Sequence, residues 1–590
     1  MKITVDTMFS HVDFGNDTLL REKVHKIVHH ALGIKVDGVQ YNSAYRNGYW
    51  DGITDFYDMK EDKFHTGLLD QFLGAMRKLK ELDPSFTYEI EDVRPAPRVH
   101  PDAIDEQIVL GNGDQNPITL HDYQYESVKN AFREQVGIVN VATNGGKTEI
   151  ASGFMQQVLP YLQRGERIAF FTHSKEIFHQ SADRIMKRLN LKPRDIGKIG
   201  DGKFDIKNKK IVFVMVPTLV SALKDPKQGI KFTHKERVIK MIAEDITPKF
   251  RNTKNTRQLL RNFIKNCKLT TKVWQDVEEH LTYIAYDNKF TDKKAQMQLN
   301  KYIVEFDKIM EKKNKNKYKK YKDTTDFLES VTVMIADEVH HSKADTWYTS
   351  LSKCTNAIYR VGLTGTVDKK DPMGWQRLQA IFSQVVVRVS NEFLIERGIS
   401  SKPKIRLFPV QEPRNIELLN TYLEAYKAGI VENEARNKMI VDIVKWYKTQ
   451  RPGGILISVK EIDHGDRILD QLKEQGYDAE FIHGGSDNDH RTDNLEKFSK
   501  GQLEILVSST IIDEGVDMKS IGCMILAAGG KSMRQQLQRV GRGLRLNGIE
   551  GNSVLIFDFY DKTNRFLKKH SEERLRIFRD ENFDVKILGE

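Results

Sequence analysis

Short, nearly unbroken apolar runs recur along the chain, and stretches with helical spacing lie between some of them. From Leu120 the runs are GIVNVAT, RIAFFTH, KIVFVMVP, VTVMIADE and AIYRVGLTGT, with helical KTEIASGFMQQVLPYLQRG after the first. Strands that lack polar alternation bury both faces, which predicts a parallel sheet covered by helices. The pattern restarts after residue 400 with GGILISVK, YDAEFIH, EILVSST, CMILAAG and SVLIFDF. Two α/β sheets in tandem are therefore expected. Residues 1–92 read differently, as a small mixed α/β domain. LLREKVHKIVHHAL has helical spacing, and YRNGYWDGITDFYD gives short strands around glycine turns.

Segments poor in pattern mark the joins. Residues 93–117, rich in Pro, Gly and acidic residues, read as a linker. The first sheet then spans 118–224 and 331–395, interrupted by 225–330. That interruption has helical spacing in RNFIKNCKLTTKVWQDVEEHLTYIAY and a low-complexity patch, KKNKNKYKK. It reads as a mainly helical insertion with a flexible basic end. The second sheet spans 396–560, and 561–590 reads as a C-terminal helical tail.

Composition adds a partner class. The net charge is +11 over 590 residues, which points to an anionic partner such as nucleic acid. Residues 225–330 hold 25 Lys and Arg against 15 Asp and Glu, so nearly all of the excess sits there. No apolar run is long enough to cross a bilayer. The opening MKITVDTMFSHVD has no signal-peptide core. Cys267, Cys354 and Cys523 lie far apart, against a disulfide framework or structural zinc. A reducing cytoplasm is the expected setting.

The candidate chemistry begins at VATNGGKTE, residues 141–149. It sits between a predicted strand and a predicted helix, where backbone N–H groups and a helix N-terminus hold phosphate. Gly145 and Gly146 allow close approach, Lys147 would reach the β- and γ-phosphates, and Thr148 would help hold Mg²⁺. The general phosphate-loop spelling has a glycine where this chain has Val141. A plain strand-to-helix turn is the alternative. VMIADEVHH (333–341) follows as an apolar strand ending in two carboxylates, at the sheet edge where open α/β folds bind ligands. Asp337 would contact Mg²⁺, and Glu338 would orient and deprotonate the attacking water. A solvated turn would explain such a pair taken alone, but not in this order after a GKT loop.

ATNGGKT followed by DEVH resembles the spelling of superfamily 2 helicases and translocases, whose loop often reads [PA]-T-x-x-G-K-[ST] without the first glycine. Other stretches match in order. LHDYQYESV resembles the segment that places a glutamine, here Gln124, at the adenine. FFTHSKEIFHQ is similar to a further segment but departs at several positions. VMVPTLV gives Thr218 a backbone-contact role, and GLTGT gives Thr364 and Thr366 a role in coupling the lobes. STIIDEGVDM assigns Thr510 to the nucleic-acid backbone and Gly515 and Asp517 to the nucleotide side. QRVGRGLR makes Arg542 and Arg545 arginine fingers and Gln538 a γ-phosphate sensor. The resemblance implies two RecA-like lobes, ATP with Mg²⁺, and a nucleic-acid-dependent ATPase. It places Thr143, Asn144, Gly145, Gly146, Lys147 and Thr148 around the phosphates. By the same resemblance His340 would couple nucleotide to nucleic acid, the reading preferred over metal because no third ligand follows at suitable spacing. Asn144 replaces a common Gly or Ser, and a left-handed conformation there would cost Asn little.

YNSAYRNGYWDGITDFYD followed by HTGLLDQF resembles the amino-terminal domain of UvsW-type phage helicases. The match includes Tyr41, Asn42, Arg46, Gly48, Trp50, Asp51 and Gly52. It implies 3′-to-5′ motion on branched DNA, forks or R-loops, in recombination, repair or replication, with RNA–DNA hybrid left open. Arg46 and Trp50 are the nucleic-acid candidates there, although Trp50 and Tyr57 could equally be core. Two other readings stand beside a helicase: a duplex translocase that does not separate strands, and a binding protein with a weak ATPase. A monomer is the expected state, with oligomers left open. The insertion is either a solvated helical surface or a duplex-binding clamp.

Overall fold

The computed structural model describes the chain except residues 112–116, 143, 225–231, 251–252, 254, 268, 341–344, 366, 368, 370, 401, 452, 510–520, 531–552, 581–582 and 590. Its residues form two compact units, Met1–Pro217 with Ser330–Glu590, and Thr218–Glu329.

The first unit holds two large sheets. In the first lobe, eight strands run in the order Lys203–Asp205, Ile196–Gly200, Ile211–Met215, Arg167–Thr172, Val331–Ala336, Tyr359–Thr364, Val136–Val141, Val385–Val389. All neighbours are parallel except the first pair. Strands Val331–Ala336 and Tyr359–Thr364 are buried at every position, which explains their unbroken apolar spelling. The second sheet has seven strands, all parallel: Ala479–Ile482, Ile505–Ser508, Gly454–Ser458, Ile521–Leu526, Ser553–Asp561, Lys402–Val410 and Asp584–Ile587. The chain thus has the tandem parallel-sheet, RecA-like architecture.

Two segments of the first unit differ from the sequence expectation. Residues 93–117 are not a free linker. Val99, Ile104, Ile108 and Leu110 are buried in the first lobe's core, and the Val99 N–H donates to the Tyr359 hydroxyl at 3.0 Å. Four apolar anchors spaced among prolines and carboxylates do not show as a periodic element. The end of the chain is not a tail either. Helix Arg565–Asp580 buries Leu567, Leu575 and Phe578, and Asp584–Ile587 then extends the second sheet beside Lys402–Val410. Arg574 is buried within that helix and pairs with Asp558 at 2.9 Å, while Arg436 pairs with Asp561 at 3.2 Å. The same arginines donate to carbonyls at the end of Ile521–Leu526: Arg436 to Ala527, Arg574 to Gly530. Each buried cation thus has both a carboxylate and carbonyl acceptors, the condition under which buried charge is tolerated.

The amino-terminal domain is a five-stranded sheet, Tyr57–Asp58, Lys63–His65, Phe9–Asp13, Lys2–Val5 and Glu89–Asp92, backed by helices Thr18–Leu32 and Leu69–Leu82. Its core includes Tyr57 stacked on Phe64 and Phe72, and reaches Ala380, Tyr348 and Met373 of the first lobe. Gly67 makes this approach possible. A Cβ there would lie 2.2 Å from the Gln379 carbonyl oxygen and 2.5 Å from that of Ala380.

The second unit is helical: His234–Lys240 continuing through Thr247–Phe250, then Thr256–Asn266, Lys272–Tyr286 and Asp292–Glu329. Trp274, Val277, Leu281 and Ile284 pack with Ile242, Leu260 and Leu299 into a core of its own. Its basic end differs from the flexible segment expected, because residues 311–323 continue the 38-residue helix Asp292–Glu329. Lys, Asn and Tyr in low-complexity order lack an apolar stripe, but Lys is a good helix former and no Gly or Pro interrupts it.

Candidate active site

The loop after strand Val136–Val141 enters helix Lys147–Val158 through two left-handed residues, Asn144 at φ 73° and Gly146 at φ 78°. Asn144 thus adopts the conformation that its side chain tolerates better than most. Gly146 answers to space as well, because a Cβ there would sit 2.2 Å from the Gln124 Nε2. Gln124 is buried at the start of helix Asp122–Glu134. Its Oε1 accepts from the His121 N–H at 2.9 Å, and its Nε2 donates to the Gly145 carbonyl at 3.1 Å. The neighbouring Tyr123 hydroxyl donates to the same carbonyl at 3.1 Å. In this structure Gln124 and Tyr123 together brace the loop.

Tyr123 had no assigned role, although it sits beside Gln124 in the same segment. Its ring lies face-on to His121 and edge-on to Phe393, and Asp122 forms a two-oxygen pair with Arg397 at 2.6 and 2.5 Å. Glu149, also outside the sequence candidates, is buried behind the loop, where Arg184 holds it at 2.6 Å. An acid directly after GKT, together with distant arginines, gives no local signal for this pair.

The carboxylates do not stand on the strand next to the loop. Strand Tyr359–Thr364 lies between Val331–Ala336 and Val136–Val141. Its last residue, Thr364, is fully buried and registers with Asn140 of the loop strand. Lys147 Nζ lies 3.1 Å from Glu338 Oε1, His340 Nδ1 lies 3.2 Å from Glu338 Oε2, and the same His340 nitrogen is 3.3 Å from Thr364 Oγ1. Lysine, glutamate, histidine and threonine therefore form one connected string from the phosphate loop to the end of the middle strand. Burial alone would raise the Glu338 carboxyl. The Lys147 ammonium and the His340 imidazole outweigh it and hold that carboxyl well below the usual range. Glu338 itself takes φ 50°, an uncommon backbone for Glu that turns the chain sharply after Asp337.

Asp337 directly follows the strand, its N–H bonded to the Phe171 carbonyl at 2.9 Å, and its Oδ1 accepts from the Glu338 N–H at 2.9 Å. Thr148 lies in the first turn of the loop helix, where its carbonyl accepts from the Ser152 hydroxyl. A hydroxyl and a carboxylate are the hard oxygen donors that suit Mg²⁺. Among the described residues no cluster of three or more His, Cys, Asp or Glu could hold a metal by itself.

The remaining candidates scatter. Thr218 lies in the short helix Val216–Ala222 that follows strand Ile211–Met215. Arg46 is exposed at the end of helix Ser43–Arg46, with Tyr41 and Tyr49 also strongly exposed. Trp50 is half-buried and donates its indole N–H to the Ile53 carbonyl at 2.6 Å, whereas Tyr57 is core. Thr143, Thr366, Thr510, Gly515, Asp517, Gln538, Arg542 and Arg545 lie outside the described residues.

A glycine-bearing loop braced by a glutamine, an Asp-Glu-x-His strand end and a threonine beneath it, on the first of two parallel sheets, define a class. The chain belongs to the superfamily 2 helicases and translocases. Residues 117–269 and 240–369 match the family of the type III restriction enzyme res subunit, and 435–547 match the helicase conserved C-terminal domain. Over 272 residues the chain is 24% identical to the ATP-dependent DNA helicase uvsW of Enterobacteria phage T4, covering 43% of this chain and 53% of that protein. It is also 24% identical over 254 residues to the DNA 3'-5' translocase XPB2 of Sulfurisphaera tokodaii, covering 36% and 55%. The matches thus span only about half the length of these relatives. The crystal structure of T4 UvsW aligns over 99% of this chain and 98% of its own at 17% identity, with a TM-score of 0.39. At that score the superposition supports no residue-level inference. Among the described residues no helix is long and apolar enough to cross a membrane.

Proposed function

We propose that this protein is an ATP-dependent DNA helicase or translocase. The observation that carries the reading is the string Lys147–Glu338–His340–Thr364. It joins the group that would reach the terminal phosphates, the group that would activate water, and the strand end that couples the site to the rest of the lobe. Phosphoryl transfer asks a protein mainly for positioning and charge neutralisation. Lys147 supplies positive charge on the loop side. Glu338, kept ionised by Lys147 and His340, carries the negative charge that would orient the attacking water. Mg²⁺, held by Thr148 and Asp337, would neutralise phosphate oxygens. Arg542 and Arg545, with Gln538, would complete the site from the second lobe, so that hydrolysis follows lobe closure.

The names of the relatives favour DNA, and the amino-terminal resemblance favours branched DNA: forks, junctions and R-loops. Arg46, flanked by exposed Tyr41 and Tyr49, is the contact proposed there. Lys147→Ala should abolish ATP hydrolysis while DNA binding persists. A Lys147→Ala protein that hydrolyses ATP at the wild-type rate would overturn the site. Unwinding assays on forks, four-way junctions, R-loops and plain duplex then separate a branched-DNA helicase from a motor that moves without strand separation.

A further inference from the structure

The helix Asp292–Glu329 is 38 residues long, roughly 57 Å at a rise of 1.5 Å per residue. Its first half is anchored by Ala295, Leu299 and Phe306, with Met310 packed near the start of the basic stretch. Residues 308–322 then carry eight lysines against one acid, Glu311. These lysines do not all share one face. Lys313 turns inward, 2.8 Å from Glu236 and over the Phe232 ring. Lys308, Lys312, Lys315, Lys319 and Lys322 recur at intervals of four, three, four and three, the spacing that sets residues in single file along one side of a helix. All five are exposed, and among the described residues none of them forms an ion pair. Like charges three and four residues apart repel and weaken a helix. Folding alone therefore gives no reason for such a row, and a polyanion lying along it would.

We propose that this lysine file binds the phosphate backbone of duplex DNA. The proposal rests on the reading of the chain as a DNA motor. The geometry favours duplex over single strand. The file follows one side of the helix for roughly 21 Å, a length of duplex that presents about a dozen phosphate charges. Single-strand platforms rely on successive aromatic rings for base stacking. Here the aromatic neighbours are Tyr318, 59% exposed and beside the file, and the half-buried Tyr321. Lysines alone hold phosphates without reading bases, so the contact is independent of sequence and sensitive to salt.

The test replaces all five lysines with Gln in the full chain, a change that keeps good helix formers in place. Binding to a duplex and to a single strand of equal length is measured without ATP across a salt series. On duplex, the slope of log K against log salt should shrink by about 0.9 for each lysine that no longer neutralises a phosphate, up to about 4.5 for all five. The same five positions changed to Arg should keep the slope. An unchanged duplex slope in the Gln protein overturns the proposal. So does an equal or larger loss on the single strand, or an Arg protein that behaves like the Gln protein. Circular dichroism of both variants confirms that the helix is retained. DNA-stimulated ATP hydrolysis by the unaltered chain reports on the motor reading separately, so failure of the file and failure of the motor are distinguishable.

Discussion

The amino-terminal domain and the helical insertion both accompany the first lobe, and they are built in opposite ways. The amino-terminal domain shares its core with the first lobe. Ala380 lies in that core, Tyr348 and Met373 pack on it, and Gly67 sits against the backbone of Gln379 and Ala380. Polar contacts follow the same seam. The Tyr348 hydroxyl donates to His65 Nδ1 at 2.9 Å, and His65 Nε2 donates to Ser352 Oγ at 2.8 Å, since that hydroxyl already donates to the Tyr348 carbonyl. The motor residues involved follow the Asp-Glu-x-His and Gly-Leu-Thr-Gly-Thr segments closely in sequence. The insertion instead closes a core of its own around Trp274 and keeps the Lys308–Lys322 file outward. One accessory is part of the first lobe's body. The other is a self-contained unit whose surface, rather than its seam, carries its character.

Trp274→Ala is the strongest way to break that contrast. It removes the largest buried side chain of the insertion core and should cost about 3–5 kcal/mol. Hydrogen exchange should show the loss confined to Thr218–Glu329, with DNA-independent ATP hydrolysis unchanged. Loss of that hydrolysis would show that the insertion is not self-contained. Gly67→Ala probes the other half. The new Cβ meets backbone rather than a movable side chain, and overpacking of this kind costs about 1–3 kcal/mol. Limited proteolysis should then release the amino-terminal domain sooner, and exchange should rise in helices Asp345–Leu351 and Pro372–Phe382. Protection left intact in those helices would mean that the seam is not shared.

The smallest effect is one of pH. Burial, aided by the nearby Arg360 and Lys63 charges, pushes His65 down from 6.5 to about 3. Below pH 6.5 an undocked His65 takes up a proton that the docked one refuses. Stability at the seam is therefore complete above that pH and declines as pH falls toward 3. Exchange in Asp345–Leu351 should quicken between pH 7 and pH 5 in the wild-type chain and show a flatter profile in His65→Gln. Equal profiles would remove His65 from the seam.

Much of the two-lobe fold was legible because its signals are local. A strand buried on both faces spells itself as an apolar run, so Val136–Val141, Val331–Ala336 and Tyr359–Thr364 fell where the pattern put them. Short strands such as Val385–Val389 and Asp584–Ile587 did not, being only partly buried and bordered by polar residues. Residues 93–117 and 561–590 misled for a related reason. Scattered anchors such as Val99 and Ile104, or a buried charge such as Arg574, become core only when distant partners arrive.

The sequence by itself supplied the candidate chemistry, because the loop at 141–149 and the Asp-Glu-x-His stretch at 337–340 are each a contiguous run that carries its own physical requirement. It also raised the question of Asn144, and the φ of 73° there answers it. Tertiary structure decided what depends on closure between distant segments. It set the middle strand that brings Thr364 to His340 and the seam at Gly67. It also decided the helical register that sorts a low-complexity lysine stretch into an inward Lys313 and an outward file. Contacts of that kind are selected by packing free energy summed over the fold, which no short window of residues contains.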